Sequence, residues 1–318
     1  MRLVVKDLSV SYYLHNMTIR AVDNVSFCLN AGESFGIAGE SGCGKSTLAS
    51  AILKNIGYPG KIESGSIFFN NEDISKLSDK DFSLKIRWKK ISMIFQGAMN
   101  SLDPVYKIKS QINGIFLAHR EKENLEKVLQ IFKDFGLDKS ILDKYPHELS
   151  GGMKQRIIIA MALLLDPEVI IADEPTTALD VLIQAQIINL LKKLKKEKQI
   201  SIILISHDIP LIAQLVDKIG IMYAGELVEI NSTKEIIFNP KHPYTKSLIS
   251  QIPDTKAEFI VKEVNPSGGK LPILNDKIDS NGCKYYSQCE HAMKKCKNNP
   301  PDYKIGKDGY VKCWLYEE

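Results

Sequence analysis

A short apolar run, Ser34-Phe35-Gly36-Ile37-Ala38, leads directly into Gly39-Glu40-Ser41-Gly42-Cys43-Gly44-Lys45-Ser46 and then Thr47. Residues from Lys45 to Ile56 read as a helix. Strand, glycine-rich loop and helix in this order form a phosphate cradle. The glycines let successive N–H groups turn inward toward a polyphosphate. The helix that follows adds the positive end of its dipole. In such a loop Lys45 reaches the β- and γ-phosphates, and the Ser46 hydroxyl ligates Mg²⁺. Cys43 is expected to be a tolerated small residue of the loop rather than a redox group.

The rest of the chain continues the alternation. Ile91-Ser92-Met93-Ile94-Phe95 reads as a buried strand ending at Gln96, and Val169-Ile170-Ile171-Ala172 as another that runs into Asp173-Glu174. Continuous apolar strands of this kind suit a parallel sheet covered on both faces. Ile202-Ile203-Leu204-Ile205 is a third. Between about 105 and 165 the spacing turns helical, with Val128, Ile131, Phe132 and Phe135 on one face. Val181 to Leu194 predicts an amphipathic helix, and the lysines from Lys192 to Lys198 suit its solvated C-terminal end. The fold class is therefore α/β. After about residue 235 the composition changes, and Pro240, Pro243, Pro253, Pro266 and Pro272 with Gly268-Gly269 predict an irregular extension.

Two acids at the end of an apolar strand are costly without a cation. Asp173 is placed to hold Mg²⁺ and Glu174 to orient and polarise a water, since phosphoryl transfer relies on positioning and charge stabilisation. Leu149-Ser150-Gly151-Gly152-Met153 supplies a second phosphate-binding turn at a helix start, where Ser150 also serves as N-cap. One chain with two such surfaces implies that two chains share each nucleotide. The net charge of +4 is too mild to argue for nucleic acid without a localised patch. The N-terminal Met1-Arg2-Leu3-Val4-Val5-Lys6-Asp7 lacks a signal-peptide pattern, and the longest apolar run, Ile157 to Leu165, is too short to span a bilayer. A soluble chain is expected, with any membrane role supplied by partners. His147 is expected to be structural.

These motifs, in this order, resemble the ABC transporter ATPase family over about residues 1 to 235. Leu149-Ser150-Gly151-Gly152-Met153 resembles the family signature, and Asp173 to Asp180 its second acidic motif and D-loop. Gln96 matches the Q-loop glutamine, His207 the switch histidine, and Tyr12 the aromatic that stacks on adenine. The resemblance implies a RecA-like core with an antiparallel β subdomain and a helical signature subdomain near residues 97–160. It implies a nucleotide site of Tyr12, Gly39, Glu40, Ser41, Gly42, Cys43, Gly44, Lys45, Ser46, Thr47, Gln96, Ser150, Gly151, Gly152, Asp173 and Asp180. Glu174, His207 and Gln96 would be catalytic, and Ser46, Gln96 and Asp173 would hold Mg²⁺. Two such subunits would close head to tail around ATP, the second being identical or a paralogue.

Phe95 to Pro104, Tyr145-Pro146-His147-Glu148-Leu149 and His242-Pro243-Tyr244-Thr245 are similar to the oligopeptide/dipeptide importer subfamily, which also includes nickel and oligosaccharide importers. That implies two transmembrane permease subunits, an extracellular solute-binding protein acting indirectly, no nucleic acid, and a peripheral place on the cytoplasmic face of the cell membrane. The competing reading is a soluble ABC-type ATPase in nucleic-acid or iron–sulfur metabolism; a non-catalytic nucleotide sensor is a third, opposed by the intact Glu174.

Four of the six cysteines, Cys283, Cys289, Cys296 and Cys313, crowd the end of the chain, within residues 236–318. Clustered cysteines in a chain of cytosolic type read as metal ligands more readily than as disulfides. Four thiolates suit either a [4Fe–4S] cluster or structural Zn²⁺. The wide gaps, without a tight C-x₂₋₄-C knuckle, favour the cluster, and the subfamily resemblance implies the same. His291 lies between two of the cysteines and is expected to be a surface residue.

Overall fold

A computed structural model of the chain describes residues 1–15, 17–177, 179–252, 282–306 and 308–317. Pro253, Pro266, Pro272 and Gly268-Gly269 of the irregular stretch, and Ala178 of the D-loop segment, lie outside the described residues. The chain divides into two compact units, each assembled from separate segments.

The first unit holds residues 1–4, 28–35 and 67–205. Its centre is a parallel sheet. Strand Ile91–Ile94 pairs with Val169–Asp173, which pairs with Ser201–Ile205. Every residue of these three strands is buried, as their largely apolar sequences require. The register sets Ile94 against Ala172 and Asp173 against Ile205. The C-terminal ends of the strands therefore lie at one edge, and the residues just beyond them, Gln96 and Glu174, emerge there. Helices Ile108–Ala118, Leu125–Asp134 and Gly151–Ala162 fill the region expected to be helical. Phe116, Val128, Ile131, Phe132, Ile157 and Ile159 form their buried faces. Helix Val181–Lys198 runs one turn past the apolar pattern and ends at Gln199, which is left-handed at φ 55°. Its last turn carries Lys195, Lys196 and Lys198, where cations meet the negative end of the helix dipole.

The second unit holds residues 5–27, 36–66 and 206–318. Strands Leu3–Leu14, Met17–Leu29 and Gly60–Phe69, which cross from one unit's segments into the other's, give it most of their length. An antiparallel meander also lies in this unit: Lys218–Tyr223 pairs with Glu226–Ser232, which pairs with Gly309–Lys312, which pairs with Asp302–Ile305. The C-terminal extension thus adds two ordered strands to a sheet begun by the preceding sequence. The phosphate loop opens helix Lys45–Ile52, shorter than its sequence pattern because Lys54 takes a left-handed conformation at φ 49°. Helices Thr233–Phe238 and Pro243–Ser250 complete the unit.

Candidate active site

In the second unit the loop from Gly39 to Ser46 is folded as its sequence predicts. Glycine is required at its two crowded points. A Cβ on Gly39 would stand 2.2 Å from the Met222 carbonyl oxygen, and one on Gly44 would stand 2.1 Å from that of Ala21. Gly44 also sits at φ 109°, where side chains are strained. The Lys45 ammonium is drawn into the loop, donating to the Gly39 oxygen at 2.8 Å and the Glu40 oxygen at 2.7 Å. Cys43 is buried beside it, and burial pushes its thiol pKa up, so it behaves as a small packing residue. Burial likewise raises the Glu40 carboxyl.

Two adjacent tyrosines take different directions. The Tyr12 hydroxyl lies 3.5 Å from Thr47 Oγ1, against the loop's helix, whereas Tyr13 donates to Glu63 at 2.8 Å. Tyr12 is therefore the aromatic beside the phosphate loop. His207 is exposed, just after the buried Ser206.

In the first unit the acidic pair splits. Asp173 is 2 % exposed at the end of its strand. Glu174 turns left-handed at φ 46°, unusual for a residue with a side chain. Its N–H donates to the Ile205 oxygen at 2.9 Å, and its carboxylate accepts from Gln96 Nε2 at 3.0 Å and Thr177 Oγ1 at 2.9 Å. The Q-loop glutamine and the predicted water-activating acid are thus in direct contact. The left-handed backbone and these three hydrogen bonds fix the Glu174 carboxylate beside Gln96 and Thr177.

Ser150 caps helix Gly151–Ala162, accepting from the Met153 N–H at 3.3 Å, and Ser150 and Gly151 are exposed. Gly152 packs where a Cβ would meet Ile183 at 3.2 Å. Asp180 caps the next helix, accepting from the Ile183 N–H at 2.9 Å. Sequence reasoning missed Gln155. It is buried, and its Nε2 donates to the Pro175 oxygen at 2.6 Å, tying the signature helix to the residue after Glu174. His147 stacks on Tyr145 with ring centroids 5.5 Å apart, a packing contact.

The four C-terminal cysteines are free thiols and line one pocket, together with His242, His291, Tyr285 and Trp314. Burial pushes the Cys283 thiol up to about 12, with smaller contributions from the other three sulfurs. Among the described residues, no group of three or more His, Cys, Asp or Glu stands close enough to hold a metal ion.

Residues 22–177 match the family model described as ABC transporter, and residues 228–296 match that of the oligopeptide/dipeptide transporter C-terminal region. The dipeptide transport ATP-binding protein DppD of Bacillus subtilis is 41% identical over 323 residues, covering 99% of this chain and 95% of that protein. This chain belongs to the ABC transporter ATP-binding family, in its oligopeptide/dipeptide branch. The oligopeptide transport ATP-binding protein OppD of Bacillus subtilis is 39% identical, over 98% of this chain and 88% of that protein. Among solved structures, the ATP-binding cassette MJ0796, a dimer in a post-hydrolysis state bound to ADP and Pi, superposes with a TM-score of 0.64 at 29% identity. It covers 73% of this chain and 98% of that one. The chain is an ATP hydrolase of the transporter class, using ATP and Mg²⁺, and an energy-supplying subunit of an ABC importer. The reading as a soluble ATPase of nucleic-acid or iron–sulfur metabolism finds no support in these relatives. No helix among the described residues is long and apolar enough to cross a membrane.

Proposed function

We propose that this subunit powers import of dipeptides, oligopeptides or a related solute such as an oligosaccharide. It works from the cytoplasmic face of the cell membrane, beside two permease subunits and, indirectly, an extracellular solute-binding protein. Support comes from the relatives' names as dipeptide and oligopeptide transport proteins and from the match at residues 228–296. Two ATPase subunits, identical or paralogous, close head to tail. The observation that carries this pairing is the exposure of Ser150 and Gly151 at a capped helix start, a phosphate-binding surface available to a second chain's nucleotide.

Within each subunit residues 1–235 form the ATPase domain, with a helical part near 97–160, and residues 236–318 the extension. Tyr12 stacks on adenine, and Gly39 to Thr47 hold the phosphates. Ser46, Gln96 and Asp173 hold Mg²⁺, which neutralises charge on the phosphates. Glu174, steadied by Gln96 and Thr177, polarises the water, and His207 makes a polar contact to the γ-phosphate. Ser150, Gly151, Gly152 and Asp180 act toward the partner's nucleotide. In Glu174→Gln, ATP binding should persist while steady-state hydrolysis falls by about a hundredfold or more. The transport arm is uptake of a labelled dipeptide into vesicles carrying the permeases. Wild-type hydrolysis by the variant would remove Glu174 from its role, and ATP-driven uptake that ignores peptides would remove the solute class.

The extension carries a [4Fe–4S] cluster on Cys283, Cys289, Cys296 and Cys313, with Zn²⁺ as the alternative. The donor set fits in kind and in sharing one pocket, although the thiols as placed do not close into a ligand set. A bound cation would lower the raised Cys283 pKa and make folding of the extension depend on metal. Anaerobic purification followed by iron, sulfide and zinc analysis decides between them; zinc without iron would end the cluster.

A further inference from the structure

The buried His242-Pro243-Tyr244 segment of the extension has no role in the nucleotide site as so far described, yet it touches the phosphate loop. The Glu40 N–H donates to the Tyr244 hydroxyl at 3.2 Å. The carbonyl of the same peptide, that of Gly39, accepts from the Lys45 ammonium at 2.8 Å. One peptide plane is thus held from both ends, by Tyr244 on one side and by Lys45 on the other. Gly39 makes that restraint necessary. It is glycine because the Met222 carbonyl leaves no room for a Cβ, and a glycine gives its peptide little resistance to rotation.

Tyr244 is itself fixed. Its ring is 3 % exposed, with centroids 4.5 Å from Tyr223 and 5.5 Å from Tyr285. Helix Pro243–Ser250, which carries it, is anchored at its start. The Glu229 carboxylate accepts from the N–H groups of Lys241 and His242 at 2.9 and 2.8 Å, and His242 Nδ1 accepts from the Tyr244 N–H at 3.1 Å. Tyr285 stands two residues from Cys283, and next to it Lys284 donates to Asp23 at 2.7 Å and to the Ala224 oxygen at 2.9 Å.

We propose that Tyr244 is a positioning residue for ATP: its hydroxyl fixes the Gly39–Glu40 peptide, which sets the place of Lys45. The extension is then part of the nucleotide site and not only an appendage. This rests on the chain being an ATPase. Without the hydroxyl the Glu40 N–H loses its partner and the peptide is free to turn, so part of the binding free energy goes into ordering the loop.

Tyr244→Phe in the full-length chain tests it. The KM for ATP and the Kd for a fluorescent ATP analogue should rise about threefold to tenfold, the range for one neutral hydrogen bond. Turnover at saturating ATP should fall by less than KM rises. Unchanged KM and Kd would overturn the proposal. So would a joint fall of kcat and melting temperature at constant KM, which marks a packing role. Should the variant fail to fold, hydrogen exchange of the wild-type Glu40 amide decides: slow exchange is expected, and exchange at the rate of an open loop overturns it. A wild-type chain that hydrolyses no ATP would count against the ATPase reading, while Glu40 exchange would still report on Tyr244.

Discussion

At the level of single residues, the site is held by contacts that motif letters do not spell out. Glu174 is left-handed and bonded to Gln96 and Thr177. Gln155 carries the comparable load on the neighbouring helix. A glutamine following Lys154 and preceding Arg156 looks like a surface position, yet it is 3 % exposed and bonded to the Pro175 carbonyl. Gln155→Leu keeps the volume but leaves that carbonyl without its donor. Such a loss costs about 1–3 kcal/mol. We expect denaturant unfolding to show a loss of that size, with turnover reduced because Pro175 adjoins Glu174. A stability change under about 0.5 kcal/mol would show that the bond contributes nothing. Lys45, Asp173, Glu174 and Gln96 could be proposed from sequence because the chemistry admits few residue types there. The Gln96–Glu174 contact and the φ of Glu174 were not, since both depend on where two strand ends meet.

The elements that were legible are the ones whose sequences are almost wholly apolar. Ile91–Ile94, Val169–Asp173 and Ser201–Ile205 announce themselves because both faces are buried. The hairpin Asp302–Ile305 with Gly309–Lys312 was missed because its half-exposed strands carry Asp302, Lys304 and Lys312 and offer no such sequence. Helix Pro243–Ser250 was missed for another reason. Its cap is a buried neutral histidine, and His242 in sequence looks like any polar turn residue. Burial lowers the His242 pKa to about 4, against the smaller upward pull of its bond to the Lys312 backbone. The sign follows from the unfolded value near 6.5. Above that pH the imidazole is neutral in both states and its contribution is complete. As pH falls from about 6.5 toward 4, the unfolded chain takes up the proton first, and stability is lost on the order of 3 kcal/mol. Glu229, whose pKa burial raises, acts in the opposite sense above its unfolded value of 4.5, so the comparison needs a variant. Hydrogen exchange in Pro243–Ser250 should accelerate across this window more steeply in wild type than in His242→Asn, which caps without titrating. Equal slopes would remove His242 as the titrating group.

On the scale of the whole molecule, the decisive question is whether the exposed signature turn works on another chain's nucleotide. Ser150 has two duties that a simple truncation would confuse, since it caps helix Gly151–Ala162 and faces solvent. Ser150→Asp separates them. Aspartate caps a helix about as well as serine, so the helix should survive. It also places a negative charge where the γ-phosphate would sit, and like charges brought together out of water repel strongly. In a Glu174→Gln background, expected to bind ATP without consuming it, the parent should recruit a second ATPase subunit when ATP and Mg²⁺ are added. Light scattering would show this as a gain of one subunit's mass, for the chain alone or co-purified with a paralogous mate, and ADP should not reproduce it. The Ser150→Asp derivative should bind ATP through Lys45 with little change and melt within about 1 °C of its parent, less than the shift of about 1.5 °C expected from losing about 1 kcal/mol in a chain of this size. It should nevertheless stay unpaired. If it recruits its mate as readily as the parent does, the signature turn does not meet the phosphate, and the head-to-tail arrangement fails while the ATP-binding loop stands.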